Sequence, residues 1–226
     1  MLKKLIDVNR ALKEEKLVMF TWGNASCRSY ENNMFIKPSG VPFDELKERD
    51  MSNVNLLTGK RIEGLKPSVD TPTHIVLYNS FPETNAVIHT HSKYCTIFAQ
   101  SKMSIPCLGT THADYFYGSV PVVSELDEQE ISEDYEKNIG LKIVQHFKEN
   151  NISPSSMPAA LVPSHGVFVW GETLDKALKN AIILENVAEM AYKTLTLCYN
   201  KSINFDTDLL DKHFLRKHGK NKYYGQ

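Results

Sequence analysis

Cysteine is scarce in this 226-residue chain, and the four present (Cys27, Cys95, Cys107, Cys198) stand far apart with no Cys-x-x-Cys. That argues against a disulfide framework and makes reduced thiols in the cytoplasm the expectation. Long hydrophobic runs are missing, so no segment approaches the length of a membrane span. The opening Met1–Arg10 is interrupted by charge too early to form a signal-peptide core. Charge of one sign is not in excess either. A formal net charge of −1 gives no electrostatic reason to expect DNA, RNA or an anionic membrane as partner. The exception is the basic stretch Lys212–Lys222, a solvated helical face or a local anion site. Also absent is a Gly-x-Gly-x-x-Gly fingerprint, which argues against a Rossmann fold.

What is present reads as a mixture of helices and strands without a regular βαβ rhythm. Leu2, Leu5, Ile6, Asn9 and Leu12 have helical spacing, predicting an amphipathic helix that ends near Lys16. Leu17–Trp22 and Met34–Lys37 read as strands, and Thr58-Gly59 as a tight turn. Thr71-Pro72 looks like an N-cap followed by proline, opening a helix to about Phe81. Ala86–His91 reads as a strand and Thr96–Gln100 as a short helix. Glu128–Glu149 is predicted as one long helix, and Thr173 caps another. Asp206–His218 predicts a last helix closed by Gly219. The sum is one α/β domain over residues 1–226: a largely antiparallel central sheet flanked by helices.

The chemistry concentrates in histidine. A strand sends residues i and i+2 to one face, so His89 and His91 project side by side from a rigid element. A third histidine, His165, lies in Pro163-Ser-His-Gly166 between two apolar runs. Three histidines from two strand-like elements, with one coordination position open, describe a catalytic zinc-type site rather than a structural one. For His-x-His alone, ordinary core or surface histidines are the alternative.

Three further segments place small or hydroxylated residues in turns: Thr21–Ser26, Lys37-Pro-Ser-Gly40 and Lys66–Thr73. Such turns wrap a phosphate if they converge, and are plain turn chemistry if they do not. Asp70 stands just before a predicted helix, as a cap or a metal-shell oxygen. Asp114 lies amid aromatics that would raise its pKa and suit it to acid/base work; a buried structural aspartate is the alternative. Tyr223 and Tyr224, near the end, would be packed against something, a neighbouring subunit's active site among the candidates.

Together, Thr21-Trp-Gly-Asn24, Ile36-Lys-Pro-Ser-Gly40, Asp70-Thr-Pro-Thr-His74, His89-Thr-His91 and Ser164-His-Gly166 resemble the class II aldolase/L-ribulose-5-phosphate 4-epimerase superfamily. Gly109–Gly118 and Leu210–Gln226 are similar to its epimerase branch. The resemblance implies a homotetramer with active sites between subunits. It implies a zinc-type ion, with manganese or cobalt as other possibilities, on His89, His91 and His165 with Asp70 among the ligands. It carries the phosphate site to Gly23, Asn24, Ser39, Gly40, Ser68 and Val69, and puts Lys37 near the substrate. Val69 departs from the family's second serine. Asp114, and Tyr224 of an adjacent subunit, become the acid/base pair, with His213 and Arg216 lining their side of the pocket.

The substrate so implied is a pentulose 5-phosphate. Its carbon 4 is not adjacent to the C2 carbonyl, so proton removal there gives no stabilised carbanion. Breaking C3–C4 does, because the electrons collapse into an enediolate that a metal can stabilise. The aldehyde half rotates and re-adds with its other face, which requires an acid/base group on each side. A class II sugar-phosphate aldolase is the rival reading, and a non-enzymatic regulator on the same fold a more distant one.

Overall fold

The computed structural model describes residues 1–199, 201 and 203–224; Gly225 and Gln226, which end the Tyr-Tyr-Gly-Gln segment, lie outside the described residues. Seven strands make one sheet: β1 (Asn24–Arg28), β2 (Asn33–Ile36), β3 (Ser52–Asn55), β4 (Arg61–Glu63), β5 (Ala86–Thr90), β6 (Ala159–Val162) and β7 (Gly166–Gly171). Their order is β4-β3-β2-β1-β5-β7-β6, and all neighbours run antiparallel. Strands β5 and β7 are buried along their whole length and pair from Ala86↔Gly171 to Thr90↔Val167.

The helices are α1 (Leu2–Glu14), α2 (Thr71–Ser80), α3 (Lys93–Gln100), α4 (Thr110–Ala113), α5 (Glu128–Ser132), α6 (Tyr135–Glu149), α7 (Leu174–Leu197) and α8 (Thr207–His218). Helices α3 and α7 pack together against β5 and β7, with α1 beside α7. Helices α2 and α6 form the other layer. There Phe81, Phe147 and Trp170 meet with ring centroids 5.2–5.5 Å apart, within the range of favourable aromatic pairs.

The structure moves the first strand. Leu17–Trp22 is irregular: Phe20 sits at φ 53° and Met19, Phe20 and Trp22 face solvent. The strand is Asn24–Arg28, whose polar residues hid it. Its Ser26 hydroxyl is buried against His74 Nδ1 (2.7 Å) and the Tyr78 hydroxyl (2.8 Å). The buried Asn9 side chain accepts from the Ala25 N–H at 2.9 Å. Polar groups paired in this way can be buried at little cost.

Two helix boundaries also differ. The predicted Glu128–Glu149 helix is broken into α5 and α6, because Asp134 adopts the left-handed conformation at φ 50°, ψ 42°. Asp70, not Thr71, occupies the N-cap position of α2, which puts Pro72 within its first turn. Gly219 follows α8, but at φ −72° it is not the left-handed cap its identity suggested.

Candidate active site

His89 is held inside the sheet, its ring stacked on Phe168 of β7 with centroids 4.3 Å apart. His91 lies just past the end of β5. His165 occupies the β6–β7 turn, where Ser164 takes φ 56° and the His165 N–H bonds to the Val162 carbonyl at 3.1 Å. Gly166 follows because a Cβ there would come within 2.6 Å of the Thr90 carbonyl and 3.1 Å of the His91 ring. With no Cβ in the way, the two strands bring their histidines together. His89 Nε2 is 3.0 Å from His91 Nε2 and 3.1 Å from His165 Nε2.

The outer faces of two rings are anchored. His89 Nδ1 donates to the Val167 carbonyl at 3.0 Å. His165 Nδ1 is 2.9 Å from the Tyr135 hydroxyl. With Nδ1 carrying the proton, Nε2 offers its lone pair inward. Burial keeps the imidazoles in their neutral form: His89 is drawn down to about 4, with Asp70 opposing, and His91 and His165 are lowered as well. Lone pairs converging at about 3 Å repel unless a cation lies among them. Three neutral imidazole donors with an open position fit a divalent ion of zinc type.

Asp70 stands beside this cluster but is not one of its converging donors. Its Oδ2 accepts from Asn24 Nδ2 at 2.6 Å and from the Ser68 hydroxyl at 3.1 Å. Burial works to raise its pKa, but the neighbouring His89 and His74 and these two hydrogen bonds hold it below the usual carboxylate range.

The turns rich in small residues do converge. Pro38 pairs with Pro67 in an isolated bridge, the Ser39 N–H bonds to the Lys66 carbonyl (2.9 Å) and the Ser68 N–H to the Lys37 carbonyl (3.2 Å). Asn24 Nδ2 joins them through Ser68 Oγ at 3.0 Å. Gly23, at φ 84°, brings these turns against β5, since a Cβ there would lie 2.7 Å from the His89 carbonyl. Gly40 is at φ 72° with open space around it. The Val69 side chain is exposed. Lys37 is buried, and burial lowers its pKa to about 8. Its Nζ reaches only the carbonyls of Thr21 (3.4 Å) and Pro38 (3.3 Å) and the face of Phe43, and among the described residues no carboxylate pairs with it. A buried cation with no carboxylate partner, beside turns that converge, suits an anion.

Asp114 and Tyr224 form a second cluster. Arg216 grips both Asp114 carboxylate oxygens at 2.9–3.0 Å, His213 Nδ1 lies at 3.1 Å and Lys217 Nζ at 3.5 Å. Arg216 lies 4.3 Å, and Lys217 Nζ 5.1 Å, from the Tyr224 ring centroid. The expectation of a raised Asp114 pKa is therefore reversed. Burial pushes it up, but hydrogen bonds from Arg216 and His213 and the charges of Lys217 and Arg216 carry it below the usual value. The aromatics nearby include Tyr117, whose hydroxyl bonds Asp211 at 2.6 Å and braces α8.

The two clusters do not meet within one chain. Tyr115 and His218, which flank Asp114, line a cavity with Thr84, Gly171 and Lys176, at the Ala86/Gly171 end of the β5–β7 pair. The histidine cluster stands at the Thr90/Gly166 end. A rise of about 3.3 Å per residue separates those strand ends by about 13 Å. Tyr135 was not legible as a site residue: an aromatic at the head of an amphipathic helix reads as core.

Residues 3–192 match the class II aldolase and adducin N-terminal domain. The chain is 43% identical to L-ribulose-5-phosphate 4-epimerase UlaF of Salmonella paratyphi C (strain RKS4594), over 99% of this chain and 97% of that protein. The protein of the same name from Salmonella typhi gives the same figures. Among solved structures, an L-fuculose 1-phosphate aldolase superposes with a TM-score of 0.77 at 23% identity, covering 94% of this chain and 93% of that one. That last likeness speaks for the fold. No described helix is long and apolar enough to cross a membrane. On the match across most of its length, and the near end-to-end identity with these relatives, the chain belongs to the class II aldolase and adducin family.

Proposed function

We propose that this chain is an L-ribulose-5-phosphate 4-epimerase, a single catalytic domain over residues 1–226 that interconverts L-ribulose 5-phosphate and D-xylulose 5-phosphate. The observation that carries the reading is the 43% identity, over nearly the full length of both chains, with proteins of that name. The geometry agrees with it. His89, His91 and His165, with Asp70 as anionic neighbour, would hold a divalent ion, which would supply positive charge against the electrons released when C3–C4 breaks. Zinc suits three imidazoles, and manganese or cobalt would be accepted by the same donors.

Gly23, Asn24, Ser39, Gly40, Ser68 and the backbone of Val69 hold the phosphate, with Lys37 as the buried cation behind them. The aldehyde half thus stays bound while it rotates. Asp114, ionised at neutral pH, and Tyr224 take up and return the proton on the C4 oxygen from its two sides. Arg216 and Lys217 stand against the Tyr224 ring and keep it beside Asp114. His213 and Arg216 line that side of the pocket.

Because the two clusters lie at opposite strand ends of one chain, a complete site takes its metal from one copy and both Asp114 and Tyr224 from its neighbour. A cyclic homotetramer provides such repeated heterologous contacts. The protein then works in the cytoplasm on a small sugar phosphate, with neither nucleic acid nor membrane as partner. The test is a coupled assay for D-xylulose 5-phosphate from L-ribulose 5-phosphate, before and after chelation and metal return. Chelation-sensitive epimer formation is expected. Release of free aldehyde from a sugar 1-phosphate, with no epimer, would make the chain a class II aldolase instead.

A further inference from the structure

We propose that Tyr135 is a positioning residue of the metal centre, fixing the tautomer and ring angle of His165, and that the break between α5 and α6 exists to put it there. This rests on the reading of the three histidines as metal ligands. Of those three, His89 is locked by the sheet and by the Val167 carbonyl. His165 has no such support from the sheet. It sits in a turn, preceded by a left-handed serine. Apart from its contact with His89, its ring is hydrogen-bonded only to the Tyr135 hydroxyl at 2.9 Å among the described residues. The Tyr135 ring lies nearly parallel to it, 23° between planes.

For His165 Nε2 to face the ion with a free lone pair, Nδ1 must hold the proton and donate it to the phenol oxygen. Without that acceptor the other tautomer is equally open, and it points a proton at the ion.

Several contacts hold Tyr135 in place. Asp134 at φ 50° interrupts the helix one residue earlier. Asn138 Nδ2 bonds the carbonyls of Glu130 (2.9 Å) and Glu133 (2.6 Å), satisfying backbone acceptors that the break would leave open. The Thr73 hydroxyl donates to the Glu136 carbonyl, pinning the first turn of α6 to α2. Gly140 lets α6 lie against Val76, where a Cβ would come within 2.8 Å. A sequence with unbroken helical periodicity has thus been interrupted and stitched one residue ahead of the side chain that reaches His165.

The experiment is metal binding, not turnover. Metal-free wild type, Tyr135→Phe, Asn138→Ala and Asp134→Gly would be titrated with cobalt(II) and with zinc(II) against a chromophoric chelator. Tyr135→Phe keeps the ring and should bind about 10- to 100-fold more weakly. It should also show an altered visible cobalt spectrum, with the Tm of the metal-free protein unchanged. Asn138→Ala should weaken binding in the same direction. Asp134→Gly, which keeps the left-handed backbone without strain, should bind like wild type. Undiminished affinity and an unaltered cobalt spectrum in Tyr135→Phe would overturn the proposal and leave the metal reading standing. A wild-type chain that takes up neither ion would overturn both.

Discussion

The histidine cluster and the Asp114 cluster are built by opposite means. His89 in β5 and His165 in the β6–β7 turn each have the ring braced at the back by a single neutral hydrogen bond, with the Asp70 carboxylate standing beside the cluster. Asp114 sits at the end of a four-residue helix and is held by Arg216, Lys217 and His213 from α8. An ion needs donors fixed to a fraction of an ångström, which strands provide. The difference explains why one cluster depends on packing and the other on charge.

Removing a ligand should break the comparison most severely. His89→Ala should lose its ion and lose more activity than the about 100-fold typical of an outer-shell change, read as metal per chain alongside turnover. Asp114→Asn should cost about 10²- to 10⁴-fold in epimerisation while metal content stays at the wild-type level; loss of metal there would merge the two clusters into one. Tyr224→Phe should behave as Asp114→Asn does, with a loss toward the lower end of that range.

Gly23→Ala sharpens the packing side. A side chain at φ 84° with its Cβ 2.7 Å from the His89 carbonyl should cost about 1–3 kcal/mol in denaturant unfolding and weaken metal binding with it. The smallest effect belongs to pH. The Asp114 pKa is depressed in the folded chain, so its stabilisation of α8 is fully present above the unfolded carboxylate value of about 3.9. It is lost as pH falls through the depressed folded value. Amide exchange in α8 should therefore keep the same protection from neutral pH down to that range, and lose it below. Loosening of α8 near pH 6 would point to a different anchor.

Much of this was legible in the sequence, for physical reasons. Period-two spacing placed His89 and His91 on one face, and small and hydroxylated residues marked three segments as turns able to wrap a phosphate if they converge. Misreadings came where tertiary contacts overruled local pattern. Met19, Phe20 and Trp22 are apolar yet exposed, while Asn24 and Ser26 are polar yet buried because Ser68, His74 and Tyr78 receive them. The periodicity of Glu128–Glu149 runs straight across the break at Asp134, since spacing does not register a single left-handed residue. The aromatics around Asp114 suggested a raised pKa, whereas the cations that lower it come from about 100 residues further along the chain. Convergence of the turns rich in small residues depended on the Pro38–Pro67 bridge, a long-range contact that local spacing does not encode.

The central claim is that a metal centre on one copy works with Asp114 and Tyr224 of another. Two inactive variants, His89→Ala and Asp114→Asn, would be co-expressed in equal amounts and the mixed oligomers assayed for 4-epimerisation. If sites are shared across a heterologous interface, random assembly leaves about a quarter of them with an intact half from each copy, and activity should return to about that fraction of wild type. Mixed oligomers as inactive as either parent would contradict the account and place both clusters of each working site on the same chain.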